Sequence, residues 1–228
     1  MNARLVLLPA IALLIGGIYW YSKQPPAFPT GDIAATWRTG RGTDVKQGRN
    51  WDELPPETPV RLSVHTPEPR FVYVFSHSDT DGTVVLFPSP ELKTDLTQPL
   101  QAGQSVLPGT HAGKELAWTT RTQVLPSTTF LVVAAQKPVP ELEALLPKLR
   151  RWTNSALPSG EMSLTNPKSG EPAAGPRTPL PDPLLQRAAD LSLTTELVNG
   201  PLTADPSHAG VWIGSWRVKE NAATPPPK

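Results

Sequence analysis

The sequence predicts a mainly β (α+β) chain: an antiparallel β-sandwich-like domain with two peripheral helices and one N-terminal transmembrane helix. Three observations carry this expectation. Proline takes 29 of 228 positions, more than twice the ordinary share of about 5 %, which suits short strands joined by many turns. From Val60 to Gln136 the apolar residues alternate or gather in short β-branched and aromatic blocks, the pattern of strands. An uncharged apolar run, Leu5 to Tyr21, opens the chain.

That first run (LVLLPAIALLIGGIYWY) follows Arg4 and precedes Lys23. At 1.5 Å per residue it spans roughly 25 Å, enough to cross a bilayer once when interfacial residues are counted. A cleaved signal peptide and an uncleaved anchor are the two readings. The run ends in Tyr19-Trp20-Tyr21 rather than in small residues, and such amphipathic rings favour the membrane–water interface. We therefore expect a signal anchor over residues 1–22. The flanking positive charges nearly tie, and a short N-terminal tail that stays inside places the remainder outside the cytoplasm.

Residues 23–58 read as a spacer and irregular lead-in. SKQPPAFP is Pro-rich and extended, and the rest is rich in Gly, Arg and Thr without periodicity. The β-rich domain is expected over 59–220. In VRLSVH (60–65) Val60, Leu62 and Val64 alternate with polar residues. RFVYVFS (70–76) and TVVLFP (83–88), separated by HSDTDG, read as a hairpin whose Asp81-Gly82 pair supplies the positive φ of a tight turn. QSVLP (104–108) and ELAWTT (115–120) are shorter strands. TTFLVVAAQ (128–136), apolar nearly throughout, should be central and buried.

A helix is predicted over 140–153 from Leu142, Leu145, Leu146, Leu149 and Trp152, with Pro147 kinking or splitting it. Residues 155–181, dominated by Pro, Gly and Ser, read as a flexible surface loop. Asp182 as N-cap and Pro183 at the first helical position open a second helix over 183–194. GVWIGSWRVKE (210–220) returns to the sheet as a strand, and 221–228 is a disordered tail.

The pieces VYVFSHSDTDGTVVLFPSPELKTD, LQAGQSVLPG and TTFLVVAAQKPVPELEAL occur in order between about Val60 and Leu146. This segment resembles the bacterial family catalogued as domain of unknown function 4384. The Leu86-Phe87-Pro88 strand end and the turn at Asp79 to Gly82 are its most specific parts. The resemblance implies an extracytoplasmic or surface β domain with no established activity of its own, and it covers under half of the chain.

Composition narrows the chemistry. Lys and Arg total 21 against 20 Asp and Glu, too balanced to attract a nucleic-acid backbone. The absence of Cys removes disulfides, thiolate nucleophiles, Cys zinc sites and a lipid-bearing lipobox. Asp79-Thr80-Asp81-Gly82 starts like a calcium loop, but position 12 counted from Asp79 is Pro90, so it reads as a solvated turn. His65, His77, His111 and His208 show no zinc-ligand spacing, and neither a nucleophile elbow nor a phosphate loop occurs. We expect no cofactor, no metal and no catalysis.

The tryptophans remain. Trp212 and Trp216 share one strand face by even spacing, as core packing or as a binding platform. Trp37, Trp51 and Trp118 are the candidate partner-binding residues, each a cap on the core or an exposed contact. The expected function is a non-catalytic, membrane-anchored module of the bacterial envelope, single-pass in the inner membrane with its domain in the periplasm. It would bind a protein partner from a secretion, signalling or surface-assembly system. The alternative is an extracytoplasmic receptor for a small ligand or glycan.

Overall fold

The computed structural model describes residues 32–40, 44–79, 82–90, 92–120, 127–151, 153–156, 162–165, 180–194 and 199–220. Among these residues it is mainly β, with two large sheets, two separate two-stranded ladders (Thr110–His111 with Lys114–Glu115, and Thr153–Ala156 with Met162–Thr165) and two short α-helices. The principal strands are β1 (Ala34–Thr39), β2 (Pro59–Thr66), β3 (Phe71–Ser78), β4 (Gly82–Phe87), β5 (Gly103–Leu107), β6 (Thr128–Ala135) and β7 (Val211–Glu220). The helices are α1 (Pro140–Leu145) and α2 (Pro183–Thr194).

In the first sheet β2 is central. It pairs antiparallel with β1 on one side and with β5 and Trp118–Thr119 on the other. The far side of β1 is met by Lys46–Gln47 and Gly200–Pro201. In the second sheet the order is β4-β3-β6-β7, all antiparallel. Two short strands join it in parallel, Arg150–Arg151 on β4 and Asp52–Leu54 on β7, so this sheet is mixed rather than purely antiparallel.

One face of each sheet shares a core. Ala35, Trp37, Leu62 and Val64 from the first meet Val72, Val74, Phe130, Val132 and Trp216 from the second. The opposite face of the second sheet, with Tyr73, Phe75, Leu131, Val133 and Ile213, is covered by Leu142 of α1 and Leu184, Leu185 and Ala188 of α2. Strand β6 is thus buried on both faces along all eight residues, which is why its sequence is apolar without alternation.

The predicted hairpin forms, with β3 and β4 antiparallel and Gly82 at φ 70°. Helix α2 begins where expected, the Leu184 N–H donating to the Asp182 carboxylate at 2.7 Å. Other expectations need correction. The lead-in is not irregular throughout, because β1 lies inside the first sheet, buried along nearly its whole length, and such a strand shows no period of two. The helix predicted over 140–153 ends at Leu145. A 3-10 turn over Leu146–Lys148 follows, Leu149 is extended, and Arg150–Arg151 is a strand. Pro147 lacks the N–H that a continuing helix needs, while Leu145, Leu146 and Leu149 still pack on the α-helical side of the core. ELAWTT divides into two short strands, Lys114–Glu115 and Trp118–Thr119. Thr153–Ala156 and Met162–Thr165 form an antiparallel ladder at the start of the predicted loop 155–181, whose residues 157–161 and 166–179 lie outside the described residues. The predicted anchor (1–22), Trp152 and the tail (221–228) lie outside the described residues. Among the described residues no helix is long and apolar enough to cross a membrane.

Candidate functional site

The loop Gly48–Trp51 joins the two sheets at one pole and is held by both. The Gly48 N–H donates to the Trp37 carbonyl at 2.9 Å. Asn199 fills the gap along the edge of β1: its Oδ1 accepts from the Trp37 N–H at 2.7 Å and its Nδ2 donates to the Gly48 carbonyl at 2.6 Å. The Trp216 indole N–H donates to the Arg49 carbonyl at 2.7 Å, across a position where a Cβ on Gly48 would stand 2.7 Å from the Trp216 ring. Asn50 Oδ1 then accepts from the Arg217 N–H at 3.0 Å, and the Trp51 N–H donates to the Arg217 carbonyl at 2.7 Å.

These bonds hold Trp51 at φ 66°, a left-handed conformation that costs a bulky residue about 1–3 kcal/mol and persists only where the surroundings enforce it. Its side chain does not repay that cost by burial. Trp51 is 45 % exposed, and among the described residues Val45 is its sole companion as an exposed large hydrophobic. The ring lies over two cations, with the Arg217 guanidinium 5.1 Å and the Lys219 ammonium 6.0 Å from its centroid. Residues two apart on a strand share a face, so β7 presents both charges to the same ring.

From Arg217 a polar row crosses the second sheet. Arg217 Nε donates to Thr129 Oγ1 at 3.1 Å, Thr129 stands opposite His77, and His77 Nδ1 meets Thr83 Oγ1 at 3.0 Å. Burial lowers the pKa of His77, and the charge of Arg217 adds to this against the pull of Asp79. Burial likewise lowers Arg217, with Asp79 and Asp190 only partly compensating. A recess of about 880 Å³, lined by Asp44, Lys46, Arg49, Glu53, Leu54 and Asn199 among others, adjoins the loop.

The three tryptophans chosen from sequence separate. Trp37 and Trp118 are each 1 % exposed, and expecting them as contacts is corrected. Trp37 packs 5.0 Å from Phe130, 5.3 Å from Trp216 and 6.4 Å from Trp118, as the aromatic centre of the shared core. Trp51 alone of the three presents a ring to solvent. Trp216 is buried and Trp212 half-buried beneath the Arg70 guanidinium at 5.3 Å, so this face of β7 is also packing. Sequence reading passed over Arg217 and Lys219. Their signal was present in WRVKE, where Trp216 and Val218 point inward and the two cations alternate outward.

A second polar cluster joins Arg187 of α2 to the turn before β7. Arg187 donates twice to Asp205, at 2.7 and 3.0 Å, and His208 Nδ1 donates to the same carboxylate at 2.6 Å. The Asp205 side chain is fully buried. Burial alone would raise its pKa, but the hydrogen bonds and charges of Arg187 and His208 outweigh it and hold the carboxyl below the usual range. His208 lines a cleft of about 460 Å³. An Asp–His pair can orient a general base, yet no hydroxyl nucleophile bonds His208 among the described residues. With Arg187 it ties α2 to the turn before β7. Among the described residues no group of three or more His, Asp or Glu is placed to hold a metal.

The fold and this pole define a two-sheet β domain with an exposed, cation-backed tryptophan. No protein-family model matches the chain, and no curated protein or solved structure is detectably similar to it.

Proposed function

We propose that the chain is a non-catalytic, membrane-anchored module of the bacterial envelope, a β-sandwich in the periplasm that docks a protein partner of a secretion, signalling or surface-assembly system through the Trp51 pole. One observation carries this reading: a tryptophan held at φ 66° and 45 % exposed over Arg217 and Lys219. Tryptophan and arginine are the side chains that most often dominate protein interfaces. A rigid ring loses little conformational entropy on binding. The anchor predicted over residues 1–22 supports the placement, and the resemblance to domain of unknown function 4384, which rests on its motifs alone, points the same way.

The test places a photo-crosslinking amino acid at position 51 of the full chain in membranes, with exposed Gln104 as the control site. A protein adduct formed from position 51 and absent from position 104 is the expected result. Equal labelling from both sites, or none from position 51, refutes the reading. A glycan or small-ligand receptor is the second reading, because the open ring of Trp51 could stack on a sugar face. It requires that neutral oligosaccharides shift Trp51 emission in the absence of any protein.

A further inference from the structure

We propose that the Trp51 pole recognises an acidic segment of a protein partner, which sets a carboxylate against Arg217 and Lys219 and lays an apolar side chain on the exposed part of the Trp51 ring; this rests on the docking reading above. The argument begins with unmatched charge. Arg61, Arg70 and Arg187, all partly buried, have carboxylate partners at 3.2 Å (Glu115), 2.9 Å (Glu68) and 2.7 Å (Asp205). Arg217 is also half-buried, but among the described residues neither it nor Lys219 makes an ion pair. Asp79 and Asp190 act on Arg217 only through their fields, and the loss of solvation exceeds their help. A cation stripped of water without a direct counter-ion gains from an incoming carboxylate more than a fully hydrated one does.

Geometry fits that anion. Thr129 occupies Nε of Arg217, leaving the two terminal guanidinium nitrogens for the paired bonds that a carboxylate accepts. Lys219 lies two residues along the same strand face, about 7 Å away at the usual rise, so one short acidic stretch reaches both. Trp51 lies against both cations and is 45 % exposed, which leaves part of its ring to an apolar neighbour of the carboxylate.

The experiment uses the full chain in phosphatidylcholine nanodiscs and fluorescence anisotropy with short labelled peptides. One peptide interleaves Glu with Leu and Phe, and its counterpart carries Gln in place of Glu. The acidic peptide is expected to bind at least about tenfold more tightly than the Gln peptide, and to weaken with added salt. Lys219→Gln and Trp51→Ala should each weaken it about tenfold. Both residues are exposed, so folding is retained, and a melting curve checks Arg217→Gln, which should weaken binding further. Equal binding of the two peptides, no binding of the acidic one, or indifference to both exposed-site variants overturns the inference. So does Trp51-dependent binding to phosphatidylglycerol vesicles without peptide binding, which would reassign the patch to lipid. A protein adduct from position 51 that ignores salt and Lys219→Gln leaves the docking reading standing while this inference fails. Absence of any adduct removes both.

Discussion

Replacing Asp205 by Asn keeps the shape of the Arg187–Asp205–His208 cluster and removes its charge. The wild-type carboxylate accepts three hydrogen bonds, at 2.7, 3.0 and 2.6 Å, while wholly buried. Hydrogen bonds to charged groups contribute about 1.5–3 kcal/mol each. Asn keeps one acceptor oxygen but turns an amide donor toward either the guanidinium or the imidazole, which are donors themselves. Arg187 and His208 are 30 % and 36 % exposed, so water takes up part of what they lose. The net loss should be about 2–3 kcal/mol at neutral pH, a fall in melting temperature of roughly 4–12 °C for a domain of this size.

The pH dependence gives a sharper test. The folded carboxyl is held below its ordinary value, so its stabilisation is present above the unfolded value of about 3.9 and is lost as pH falls through the folded one. Thermal unfolding followed by near-ultraviolet circular dichroism should show the full difference between wild type and Asp205→Asn at pH 7. Below the folded value the difference should close. An equal difference at pH 7 and in strong acid, or one under about 0.5 kcal/mol at pH 7, would refute the electrostatic account.

Two further outcomes follow from packing. Gly48→Ala sets a methyl 2.7 Å from the Trp216 ring and should cost about 1–3 kcal/mol by overpacking, read as a lower urea midpoint with unchanged slope. Tyr73→Phe removes a buried hydroxyl that donates to Glu143 at 2.6 Å and accepts the Val139 N–H at 3.3 Å; a loss of about 1–2 kcal/mol is expected, with hydrogen exchange rising first in α1.

Much of the β domain was legible because strand formation leaves a local mark. Val60, Leu62 and Val64 alternate, the Asp81-Gly82 pair announces a turn, and the unbroken apolar stretch of β6 signals burial on two faces. Helix α2 was equally readable, since Asp182 and Pro183 act on the backbone within one turn. β1 escaped notice because a strand packed on both faces, with small and polar residues among its buried positions, has no period to detect. The end of α1 escaped because Leu145, Leu146 and Leu149 serve the same core from helix, 3-10 turn and extended chain in succession.

Sequence by itself determined which segments could be strands, where turns and helix starts fall, and that only a few large aromatics were available for contact. The tertiary structure decided which of those aromatics sees water. Trp37, Trp51 and Trp118 are chemically identical, and their exposure differs because it depends on what the rest of the chain brings beside each ring. For Trp37 that is Phe130 and Trp216, for Trp118 it is the edge of β2, and for Trp51 it is two cations of β7 and open solvent. Burial is set by residues distant in the chain, so no local pattern could have distinguished the three.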